Sequence, residues 1–264
     1  MFRLLVAFNL LVSPMTVPEP RLMTPGGDEL GYAPVPRPYA GVHRLTGVLY
    51  AHDPVSRLDL LCGASVIRSG SRSLVLTAAH CLNHDGTPMR RVAFAPGFED
   101  GRARLGWWRA VRMWVPRRWG SRPFSSRQLP YDVGVVGVAR RGRTLESVTG
   151  RGLRPAVLGR GRTVTGVELL GYPIGHRYPG RDLYRCVGDL GEGGGRGPGV
   201  LVTRNCQAAS GSSGGPAVRG STVYGVVSSS SPLADPAGFT VLSRLNRSLI
   251  TRADHAMRHQ ALKG

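Results

Sequence analysis

The chain has 264 residues, enough for one sizeable domain or two small ones, and its 37 glycines and 20 prolines favour strands and turns over long helices. Its formal net charge is +19, and because Lys263 is the single lysine that charge is almost wholly arginine. The arginines are scattered, without a run of five or six, which argues against a dedicated nucleic-acid arm and leaves non-specific attraction to anionic surfaces such as cell wall or membrane.

Residues 1–38 read as a leader. Arg3 precedes an apolar run over 4–12, broken only by Asn9, that resembles a signal-peptide core and is too short to cross a bilayer as a helix. Residues 13–38 carry seven prolines and few large apolar side chains, which disfavours helix and sheet and predicts a linker or pro-segment. Over 39–143 six short apolar runs follow, at 47–50, 62–67, 73–77, 92–95, 108–114 and 133–138, each with turn residues at its ends. Six strands at that spacing suit a closed antiparallel barrel. His80 falls just after the third run, where Ala78 and Ala79 begin a helical turn, and Asp132 opens the sixth. Trp107, Trp108, Trp114 and Trp119 are expected to pack the barrel and its outer face.

Residues 140–162 are basic and glycine-rich, a crossing to a second set of runs at 164–170, 183–187, 200–203, 217–218, 223–228 and 238–242. A second barrel is therefore expected over 144–264. The glycine run at 188–199 lacks the helix that a phosphate cradle should open and reads as a surface loop. Residues 245–262 place Leu245, Leu249, Ile250, Ala253 and Met257 at helical spacing, which predicts a packed terminal helix. His255 and His259 stand four apart with no third ligand evident, so neither a metal nor a cofactor is expected. The fold class predicted is all-β: two six-stranded antiparallel barrels with a cleft between them and a C-terminal helix.

The chemistry centres on Asn205-Cys206-Gln207-Ala208-Ala209-Ser210-Gly211-Ser212-Ser213-Gly214-Gly215-Pro216. Its last six residues favour sharp turns with φ > 0 and present Ser213 at the apex of a kinked loop. A serine hydroxyl needs a base to take its proton and a third group to orient that base. Leu76-Thr77-Ala78-Ala79-His80-Cys81 supplies the base, and Tyr131-Asp132-Val133-Gly134 the acid at the head of an apolar strand. Asp85 and Asp100 are carboxylates too, but neither opens such a strand, and Asp85 is only five residues past His80.

Taken together, these three motifs resemble the chymotrypsin-like, trypsin-fold serine peptidases, and they occur in that clan's chain order of His, Asp, Ser. Gly171-Tyr172-Pro173-Ile174-Gly175 is similar to a turn in its bacterial members. The resemblance implies a monomeric endopeptidase acting on protein or peptide substrates, with His80, Asp132 and Ser213 as the triad and the N–H groups of Gly211 and Ser213 as the oxyanion hole. It also implies Ser228 as support for Asp132, Gln207, Ala208 and Val227 around the primary pocket, and Ser228, Ser229 and Ser230 as the edge that pairs with extended substrate. With no carboxylate at the pocket base and Val227 where glutamyl endopeptidases carry a histidine, a neutral pocket for small or apolar side chains is expected.

Four cysteines allow three pairings, and the resemblance favours Cys62 with Cys81 and Cys186 with Cys206, hence an oxidising, extracellular setting. Ser212 stands where animal digestive members carry an aspartate that pairs with a freed amino terminus, and a serine cannot form that ion pair. A second function compatible with these residues is a catalytically weak binder of polyanions on the same scaffold.

Overall fold

The computed structural model describes residues 23–119, 125–175, 177–193, 199–232 and 238–259; the apolar leader expected over 4–12, His176 and the last residues of the stretch expected to be helical, 260–262, lie outside them. The first barrel closes through six antiparallel strands: β2 Thr46–His52, β3 Asp59–Ile67, β4 Leu74–Thr77, β5 Arg90–Pro96, β6 Trp108–Trp114 and β7 Gly134–Ala139. Around the ring the order is β2-β3-β4-β7-β6-β5, with β5 pairing back to β2. Its interior is filled by alternate side chains such as Val48, Val66, Phe94, Trp108 and Val136, all fully buried.

The second ring contains β8 Val164–Gly171, β9 Tyr184–Glu192, β10 Val200–Thr203, β11 Pro216–Arg219, β12 Thr222–Ser230 and β13 Thr240–Arg244. They follow the order β9-β8-β11-β12-β13-β10, and pairing of β10 with β9 closes the circle. Val167, Leu169, Leu190, Leu201 and Leu242 form its core. Leu170, Tyr172, Val223 and Val226 instead join the core of the first barrel, so the two barrels pack directly on one another.

Three differences from the sequence reading have simple physical causes. The glycine run does not begin as a loop: β9 continues through Gly188 to Glu192, because Gly188 faces Thr203, whose Oγ1 would lie 2.5 Å from any Cβ there. Residues 33–34, expected to avoid sheet, form a two-residue strand β1 (Ala33–Pro34) on the outer side of β9, where a proline needs no donor on its free edge. The terminal helix starts at Arg247, because the Asn246 side chain accepts the Leu249 N–H at 2.9 Å and caps it. Leu249 and Ala253 then bury its inner face, and Arg112 donates to the Met257 carbonyl.

Candidate active site

His80 sits in a single 3-10 turn, Ala79–Cys81, that follows β4 directly. The Cys62–Cys81 disulfide ties that turn to β3, and a second disulfide joins Cys186 to Cys206. Asp132 ends another 3-10 turn, Ser126–Tyr131, whose start is fixed by reciprocal bonds between Ser125 and Gln128. The carboxylate is completely buried and bonded on both oxygens. His80 N–H donates to Oδ1 at 2.9 Å, the His80 ring meets Oδ2 through Nδ1 at 2.7 Å, and the Ser228 hydroxyl donates to Oδ2 at 2.5 Å. Burial in the cleft favours a neutral imidazole. The charge and hydrogen bond of Asp132 outweigh it and hold His80 above the ordinary imidazole range.

The loop bearing Ser213 is built from turns. Ser212 N–H donates to Ala209 O at 3.1 Å, and Gly211 takes a φ of 83°, the signature of a type II turn, which only glycine adopts without strain. A Cβ at Gly211 would also lie 2.4 Å from Tyr172 O. The N–H groups of Ser212, Gly214 and Gly215 are engaged by Ala209, Val227 and Ser212 carbonyls. Among the described residues, those of Gly211 and Ser213 donate to no protein group. Two amides flanking Ser212 are thus left to an external acceptor.

The loop docks on the first barrel beside His80. Gly63 N–H donates to Ser213 O at 2.7 Å, and the Cys81 sulfur lies 3.9 Å from the same oxygen. The approach is close enough that a Cβ on Gly63 would stand 2.8 Å from Gly215 Cα, and one on Gly214 would stand 2.2 Å from Thr77 Oγ1. Among the described residues no hydrogen bond joins Ser213 Oγ to the His80 ring.

Gln207, Ala208 and Val227 are buried, Ser229 is exposed, and Ser228 and Ser230 are half-buried. Gln207 turns its amide to the Ser231 hydroxyl and to Pro232 O, so the position that would form a pocket floor is neutral and already bonded. Asp100 pairs with Arg181 at 3.0 Å and Asp85 lies 4.0 Å from His84, so neither addresses His80. Cys62, His80 and Cys81 cluster, but both sulfurs are in the disulfide and offer no thiolate to a metal.

Several neighbours escaped the sequence reading. The Trp119 ring centroid lies 6.3 Å from that of His80, with its indole N–H donating to Asn83 O. Together with Asp53, His84 and Met89 these two rings line a cavity of about 320 Å³. His84 meets buried Asp53 at 2.6 Å across 31 residues of sequence. Burial pushes the Asp53 carboxyl up, but donation from Ser56, His84 and Val55 N–H holds it well below the usual carboxylate range. No local pattern joins positions 53 and 84.

Several solved structures share this architecture. A thermostable serine protease AL20 from an extremophilic microorganism aligns with a TM-score of 0.71 at 22% identity, over 81% of this chain and 97% of its own. Protease Anisep from Arthrobacter nicotinovorans gives 0.70 at 21% over 83% and 97%, and a Glu endopeptidase gives 0.64 at 16% over 85% and 95%. The sequence has no match among curated proteins. The Trypsin family model matches residues 38–249, which is most of the chain and includes all three motifs, so the chain belongs to the trypsin family of serine peptidases.

Proposed function

We propose that the chain is a secreted serine endopeptidase that cleaves peptide bonds through an acyl-enzyme on Ser213. Ser213 Oγ attacks the carbonyl carbon while His80 Nε2 takes its proton. The carbonyl oxygen becomes an anion, and the unengaged N–H groups of Gly211 and Ser213 receive it. His80, now positive, is stabilised through Nδ1 by Asp132 and gives its proton to the leaving amine as the C–N bond breaks. Water, deprotonated by the same ring, then hydrolyses the ester and frees Ser213.

The observation that carries this reading is the buried Asp132 carboxylate. A charge with zero exposure is costly unless it is paired, and here both oxygens are turned to a single histidine and the serine that braces it. Two disulfides support an oxidising location outside the cell. The neutral, self-bonded Gln207 supports a primary pocket for small or apolar side chains rather than for arginine, lysine or glutamate. A fluorophosphonate probe tests the catalytic reading: the folded protein should take the label at Ser213, and Ser213→Ala should abolish it. A folded wild-type chain that takes no label would overturn the assignment.

A further inference from the structure

The segment just before the first barrel is bonded to the back of the nucleophile loop. Asp28 organises it, with Oδ1 accepting the N–H groups of Leu30 at 3.0 Å and Tyr32 at 2.9 Å, and its other oxygen accepting the Tyr178 hydroxyl. Leu30 and Tyr32 are thereby sunk into the second core, at 7% and 2% exposure. Thr24 accepts the Val187 N–H at 2.7 Å, β1 pairs with β9, and Val35 N–H donates to Leu183 O at 2.9 Å, so the strap is fixed at both ends. Its middle reaches the site, because Gln207 N–H donates to Leu30 O at 3.0 Å.

From this seat the Tyr32 hydroxyl donates to Ser212 Oγ at 3.3 Å. Ser212 is 1% exposed, and its side chain presses on Gly171, where a Cβ would stand 2.9 Å from Oγ. Its main chain is the pivot of the loop. The N–H closes the turn that sets the orientation of Gly211, and the carbonyl accepts Gly215 N–H at 2.9 Å. Burial pushes the Tyr32 phenol up to about 12, so it stays a protonated donor at neutral pH.

We infer that Tyr32 is a positioning residue: it holds Ser212, and through it the Gly211 and Ser213 amides, in the arrangement that receives the oxyanion, without a freed amino terminus. The inference rests on the serine peptidase reading of the same site. Every contact of the strap uses a side chain or an internal backbone group, so none depends on where the chain is cut upstream of Met23.

The test compares wild type, Tyr32→Phe, Ser212→Ala and the double variant in the full chain, by fluorophosphonate labelling resolved into binding and bond-forming steps, with thermal unfolding in parallel. The phenylalanine keeps the buried ring and removes only the donor. Each single variant should slow the bond-forming step about three- to tenfold with probe binding unchanged, as expected for one buried hydrogen bond. The double variant should be no slower than either single, because both remove the same bond. Chains with and without residues 1–22 should label at one rate.

A labelled wild type with Tyr32→Phe equally fast, effects that multiply in the double variant, or labelling that appears only after N-terminal cleavage would each overturn the strap's role while leaving the peptidase reading intact. A wild type that takes no label in either form overturns both.

Discussion

The base side and the nucleophile side of the cleft are held in place by different means. On the base side most supports are close to hand: His80 follows β4 by three residues, Cys81 is bonded to Cys62 on the adjacent strand, and Asp132 heads β7, which pairs with β4 in the same barrel, with Ser228 reaching Asp132 from β12. The nucleophile loop contains no regular element between β10 and β11. It takes its shape from distant groups, including Gly63, Thr77, Val227 and the strap residues Leu30 and Tyr32. Damage on the base side should therefore alter proton chemistry while the loop stays in place. Damage on the nucleophile side should move the amides while the base keeps its charge state.

The largest effect should come from Asp132→Asn. The amide is nearly isosteric, so the turn and barrel persist, but its NH2 facing Nδ1 selects the wrong imidazole tautomer and cannot stabilise the imidazolium. A fall of about 10⁴-fold in kcat is expected. Peptide hydrolysis measured beside thermal unfolding checks it, and a loss below tenfold with the fold retained would remove Asp132 from the mechanism.

Gly211→Ala should come next, and it separates the two sides. Alanine at a φ of 83° is strained, and its Cβ would lie 2.4 Å from Tyr172 O, so the turn must shift and withdraw one donor. Loss of one such donor costs about 10²–10³-fold in kcat. The acid limb of the pH profile, which reports His80, should stay where it is in wild type. Movement of that limb would mean that the loop and the base are one unit.

How far the sequence could be read follows the same division. All twelve barrel strands were legible, because each is a short apolar run between turn residues, although β3 begins three residues early at Asp59, where Leu60 and Leu61 carry the pairing with β2 out to a more exposed edge. The turns that carry His80, Asp132 and Ser213 were legible because each is a compact local pattern of turn residues beside an apolar strand. Tyr32 and Ser212 are 180 residues apart and His84 and Asp53 are 31 apart, and nothing near any of them announces the partner. Trp119 reads as one more barrel aromatic until folding sets it against the His80 ring. Local turns and apolar runs were legible, Ser228 beside Asp132 was expected only through the family resemblance, and the contacts that other distant residues bring to the site were not legible.

The smallest expected effect tests the base side most finely. The Ser228 hydroxyl donates to the same Asp132 oxygen that faces His80 Nδ1, drawing off part of the negative charge that the ring would otherwise feel. Asp132 already holds His80 above its ordinary value, so kcat/KM should rise with pH through a midpoint above the ordinary imidazole range, since only the neutral ring can accept the serine proton. Ser228→Ala leaves that carboxylate oxygen with one donor fewer and the imidazolium better stabilised. The midpoint should therefore move to higher pH, and the plateau should fall by no more than about tenfold, the scale of one charge-assisted hydrogen bond. A midpoint that moves to lower pH would show that Ser228 does not act through the charge of Asp132.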